Sequence, residues 1–206
     1  MGQTAAMNLK DRMKKYLDNE RQSLFDKLGG VSERDLRLPR TPTGTNLLGI
    51  VKHCANMEYG YFGPTFGRTI DDPTGLLSPN EYEDDPQADW HASESETAEG
   101  IVALYRRVIA FANETIDSLD LDATGRVPWW GPDAEEVTLG HIITQVHADL
   151  ARHAGQADIL RESVDGAVGW WSPGDNIPEN YDFAAYVERL TFRRERHVPA
   201  RGWGSS

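Results

Sequence analysis

The chain has 206 residues, of which 39% are apolar, with six tryptophans and a net charge of −12 at pH 7. That length supports one domain with a sizeable core, and so negative a balance excludes binding that rests on neutralising nucleic-acid phosphates and disfavours anionic membranes. No apolar run approaches the roughly 18 residues needed to cross a bilayer, the opening MGQTAAMNLKDRMKKYLDNE turns charged too early for a signal peptide, and a single cysteine, Cys54, fits a reducing cytoplasm.

In chain order, a first helix is expected over 7–29, with Leu9, Met13, Tyr16, Leu17, Leu24 and Leu28 at three- and four-residue steps and Gly29-Gly30 as its stop. A second is expected over 45–62. Leu47, Ile50, Val51, Cys54, Met57 and Tyr61 form its stripe, the threonines of TPTGT offer caps, and Gly63-Pro64 closes it. The acidic, proline-rich stretch 71–96 follows, a loop whose length marks a functional lid or a poorly ordered segment. Its EYEDD run at 81–85 lacks the spacing of a calcium loop and reads as solvated. A third helix is expected over 97–120, a fourth over 137–162 with Leu139, Ile143, Val146, Leu150, Ala157 and Leu160 in register, and a short fifth over 181–195. Residues 1–198 are expected to form one domain and 199–206 a disordered tail. Four long amphipathic helices with one long crossover predict an all-α four-helix bundle.

The fourth helix contains HADLARHAGQ, with His147, Asp149 and His153 inside an otherwise apolar pattern. At about 100° per residue, His153 falls about 20° from the centre of the apolar stripe and Asp149 about 60° away on the same side. His147 lies about 100° off on the opposite shoulder, and His141 about 140° off, toward solvent. Asp149 and His153 thus form an inward pair four residues apart, close enough to hold one ion between them. A buried carboxylate needs a partner, and a hydrogen bond to His153 would serve as well as a metal, so the pair alone leaves both readings open. His53 lies on the flank of the second helix, where it is either a boundary histidine or a third ligand. Two imidazoles and one carboxylate suit zinc with an open position, and equally non-haem iron.

The segments TPTGTNLLGIVKHCANMEYGYF, VTLGHIITQVHADLARHAGQADILRE and SVDGAVG together resemble the DinB-like superfamily, in particular its DUF664 branch, over residues 7–195. The resemblance is to thiol-dependent transferases and isomerases that use mycothiol or bacillithiol. It implies a four-helix bundle, often a homodimer, with a divalent metal held by three side chains, which fall on His53, Asp149 and His153. Many members carry histidine where this chain has Asp149, and the mycothiol-linked branch carries glutamate. Zinc is the preferred ion, with iron, nickel or manganese as alternatives, and mycothiol the implied thiol cosubstrate. The expected activity is transfer of the thiol to a small electrophile, or thiol-assisted isomerisation. Two other readings stand beside it: a non-catalytic, metal-stabilised binding module or structural homodimer, and a metal-dependent hydrolase.

Trp129-Trp130 precede the fourth helix and Trp170-Trp171 follow it. They are expected to cap the two ends of the bundle core rather than to line one pocket together. Cys54, near the centre of its stripe, is expected to be a core residue rather than a ligand. Arg152 and Arg161 are assigned no role.

Overall fold

The computed structural model describes residues 7–169, 174–175, 177–178 and 180–197. The expected tail at 199–206 and the Trp170-Trp171 pair lie outside the described residues. Four long helices build the bundle: α1 (Leu9–Leu28), α3 (Leu47–Phe62), α5 (Ala98–Ser118) and α6 (Leu139–Asp165). Between them lie two short helices that apolar periodicity did not reveal, α2 (Glu33–Arg37) and α4 (Pro79–Asp84). A two-residue antiparallel ladder, β1 (Thr124–Gly125) with β2 (Val137–Thr138), leads into α6. The C-terminal helix α7 (Phe183–His197) exposes Phe183, Val187 and Leu190. Among the described residues no helix is long and apolar enough to cross a membrane.

Local chemistry sets the helix ends. The side chains of Asn8, Asn46, Thr97 and Thr138 each accept a backbone N–H of the first turn of α1, α3, α5 and α6. The cap of α3 is therefore Asn46, not a threonine of TPTGT. Thr41 instead accepts the Thr45 N–H within the preceding turn. Gly166 ends α6 with φ 75°, a left-handed conformation that a side chain would strain.

Leu17, Leu24, Leu48, Phe62, Val108, Ile116, Val146 and Leu150 are fully buried and fill the interior. Each such side chain contributes about 1.5–3 kcal/mol relative to leaving it in water. Cys54 is fully buried among them, as its place on the stripe predicts. The helix directions follow from paired contacts. Tyr16 meets His147 and Lys27 meets Asp158, so α1 and α6 run parallel. Phe25 meets Tyr105 while Lys14 meets Asp117, so α1 and α5 run antiparallel. Glu58 meets Tyr105 and Arg68, just beyond α3, reaches Ser118, so α3 and α5 are parallel.

Parallel neighbours cannot be joined by a short turn. The chain leaving α3 must return the whole length of that 16-residue helix, about 24 Å, before α5 can begin. The acidic segment 71–96 performs that return and is tied down along its path. The Leu77 N–H donates to Asn56 Oδ1, Asn46 Nδ2 donates to the Trp90 carbonyl, Lys52 Nζ donates to the His91 carbonyl, and Arg37 reaches the carbonyls of Ala92, Ser93 and Glu96. This strap is thus an ordered layer on α3. EYEDD, expected as a solvated loop, is largely exposed but helical, lying mostly in α4, whose Ser78 and Glu81 form a capping box.

The closest approach of strap to bundle is at Gly49, where an added Cβ would stand 1.8 Å from the Trp90 carbonyl oxygen. Gly49→Ala is expected to push the strap off α3 at a cost of about 1–3 kcal/mol, the range of overpacked cores. Urea unfolding reads the stability, and faster hydrogen exchange over residues 88–92 reads the displacement. Wild-type values in both would contradict the packing.

Candidate metal centre

The three residues singled out by helical phase and resemblance meet in space. His53 comes from α3, and Asp149 and His153 come from successive turns of α6. One ligand atom from each lies within 4.8 Å of the other two. It is the one such cluster of three metal-ligating side chains found among the described residues. The His53 and His153 rings stand edge to face, 4.9 Å between centroids.

Each histidine has one ring nitrogen engaged away from the cluster. His53 Nδ1 donates to Asp89 Oδ2 at 2.7 Å, and His153 Nδ1 donates to Gln156 Oε1 at 2.8 Å. A neutral imidazole that donates through Nδ1 keeps its lone pair on Nε2, the form a metal ligand needs. Burial, helped by the neighbouring His53, pushes the pKa of His153 down against the opposing effect of its Gln156 hydrogen bond. His153 is therefore held in its neutral form near pH 7. His153 Nε2 and Asp149 Oδ1 are 3.5 Å apart, and the hydrogen bond His153 makes is to Gln156. That spacing fits donors arranged around a shared ion better than a hydrogen-bonded pair.

The cluster is more open on one side than on the other. The Asp149 side chain is 30% exposed and that of His153 8%. Covering one side is the half-buried Trp90, which stacks on His53 at 4.0 Å and 17° and meets His153 edge-on at 5.3 Å. Neither Asp89 nor Trp90 was a candidate from the sequence. Both lie in an aperiodic, acidic stretch where nothing marks one aspartate or tryptophan above another.

The other candidates fall elsewhere. His147 is half-buried on the α1 seam against Tyr16, and His141 is exposed beside Trp130. Trp129 packs on Gly60 and edge-on to Tyr61 near the end of α3 but stays 53% exposed, so it shields that end rather than sealing it. Trp130 lines an open surface cavity of about 470 Å³ with Glu135, Glu136, Val137 and His141, apart from the His–Asp cluster. Arg152 is exposed, whereas Arg161 pairs with Asp165 and donates to the carbonyls of Lys27 and Gly29.

Comparison with known proteins agrees with this layout. A solved structure titled the conserved protein of locus from Enterococcus faecalis superposes with a TM-score of 0.53 at 15% identity, covering 78% of this chain and 99% of its own. At that identity the likeness speaks for the fold alone. A comparison with curated proteins gave no match. The profile of the mycothiol-S-transferase family matches residues 12–166, which span α1 to the end of α6 and include all three cluster residues. The chain belongs to that family, within the DinB-like superfamily.

Proposed function

We propose that the protein holds one divalent cation through His53, Asp149 and His153 and uses it to activate mycothiol for S-transfer to a small electrophile. The observation that carries this reading is the convergence of two imidazoles and one carboxylate inside the matched family region. The donor set fits the role. Three side chains leave coordination open, as catalytic zinc sites do, and zinc is the ion proposed, although the same two-imidazole, one-carboxylate set accommodates iron equally. Bound there, the cation supplies the positive charge that makes a thiol ionise to its thiolate, the nucleophilic form.

The chain's own residues supply orientation. Asp89 and Gln156 fix the two imidazole rings, and Trp90 covers the His53 ring from the strap side. The partly exposed Asp149 marks the side from which thiol and electrophile enter. Holding the electrophile beside the thiolate removes the entropic cost of the encounter. This reading also carries a cytoplasmic location and, from the resemblance, a homodimer.

The test is turnover of 1-chloro-2,4-dinitrobenzene by zinc-loaded protein with mycothiol, following both the conjugate and the free thiol. Equal formation of conjugate and loss of thiol supports the transferase. A thiol that is required but recovered, measured on a cis–trans isomerisable unsaturated acid, indicates an isomerase. Turnover of an activated ester without thiol indicates a hydrolase. Stoichiometric zinc with none of these activities replaces the proposal with a metal-stabilised, non-catalytic homodimer.

A further inference from the structure

Asp89 is 5% exposed, although it lies in the acidic strap and not on a bundle helix. An uncompensated carboxylate at that depth is costly, so its partners reveal what the position is for. Its Oδ2 accepts from His53 Nδ1 at 2.7 Å and from the Tyr82 hydroxyl at 3.3 Å. Tyr82 belongs to α4, so the strap supplies both the carboxylate and the group that steadies it. Burial, with Asp89 beside it, pushes the Tyr82 phenol well above its ordinary range and keeps the hydroxyl a donor.

The next two residues are locked as well. The Trp90 carbonyl rests against Gly49 and accepts from Asn46, its ring lies flat on His53, and the His91 carbonyl accepts from the buried Lys52. Three consecutive strap residues therefore grip the turns of α3 around His53. A bundle helix alone would leave that imidazole free to rotate and to place its proton on either nitrogen.

We propose that Asp89 is a positioning residue that sets the tautomer and ring orientation of His53 for metal capture, so that closure of the strap and binding of the cation are one coupled equilibrium. The inference rests on the metal-centre reading above. A ligating histidine whose other nitrogen donates to a carboxylate binds metal more tightly, typically by 10–100-fold. Coupling is reciprocal, so whatever affinity the closed strap adds to the ion, the ion returns as protection of the strap.

The experiment uses the full chain and zinc. In metal-free wild type, nitrogen-15 spectra of the histidine side chains should show His53 protonated on Nδ1, and Asp89→Ala should shift it toward the Nε2-protonated form. In a titration against a chromophoric chelator, Asp89→Ala should bind zinc about 10–100-fold more weakly. Asp89→Asn, which retains an acceptor, should recover part of that loss. Zinc should slow hydrogen exchange over residues 88–96 in wild type and not in Asp89→Ala. Tyr82→Phe, which leaves the carboxylate in place, should weaken zinc binding in the same direction but less, and it serves if Asp89→Ala folds poorly. Unchanged zinc affinity and tautomer in Asp89→Ala would overturn the proposal and leave the metal centre standing. A wild type that takes up neither zinc nor, in the same titration, iron, nickel or manganese removes the metal centre itself. The tautomer arm then reports separately whether Asp89 still orients His53.

Discussion

His153→Ala is expected to abolish stoichiometric metal binding, while His147→Ala, six residues earlier on the same helix, leaves it intact. The contrast is sharp because the two histidines point about 120° apart around α6, one toward α3 and the other toward α1. His153 is buried in the cluster and His147 lies on the α1 seam against Tyr16. Removing one of the three proposed ligands should cost more than the 10–100-fold typical of removing a group behind a ligand. Elemental analysis of the purified proteins, after reconstitution with zinc, iron, nickel and manganese in turn, reads the result. If the His153 variant retains a full equivalent of metal, the assigned site is wrong. If no sample, wild type included, holds metal, the whole metal reading is lost.

The second large effect lies one turn deeper, in stability rather than binding. Glu58 is fully buried on α3, bridged to the equally buried Arg21 of α1 and accepting from the Tyr105 hydroxyl of α5. Burial opposes the charge on Arg21, but Glu58 outweighs it and drives the guanidinium further toward its protonated form. The same burial pushes the Cys54 thiol well up, with Glu58 adding to the rise, so Cys54 is an inert core group and not a nucleophile. Glu58→Ala would leave the buried Arg21 only its Nη1 contacts to Asp18 and Asn113 and should destabilise the protein by about 3 kcal/mol, the low end for a broken buried pair. Replacing Arg21 by Met, Glu58 by Leu and Tyr105 by Phe together should restore most of that loss, since a buried pair exchanged for packed apolar groups is often neutral. Urea midpoints of the two variants decide the matter. A loss below about 1 kcal/mol in Glu58→Ala would mean that water reaches the pair.

Helix phase carried much of this architecture before any coordinates. The stripes of α1, α3, α5 and α6 are strongly periodic, and the same periodicity that defines the core also points Asp149 and His153 inward and His147 away. His53 was ambiguous because it sits on the flank of its stripe, where burial depends on what covers the helix. What covers it is the strap, which has no periodicity of its own. One signal for the strap was nonetheless present. Lys52, Asn56 and Glu58 interrupt the most apolar helix of the chain, and all three are buried. Polar side chains buried on such a helix require partners from elsewhere. Two of them, Lys52 and Asn56, find those partners at His91, Glu96 and Leu77. The relative directions of the helices were not legible in this way, because periodicity fixes which face is buried and says nothing about which neighbour covers it.

The parallel course of α1 and α6 has an electrostatic consequence. Peptide dipoles in adjacent parallel helices point the same way, so the partial negative charges of their last turns gather at one end of the bundle. Arg161 stands there, donating to the Lys27 and Gly29 carbonyls at the end of α1 while pairing with Asp165 in the last turn of α6. Lys27, itself in the last turn of α1, reaches across to Asp158. Two cations thus answer two converging helix termini, and the first and last helices of the bundle are joined there by charge as well as by apolar packing.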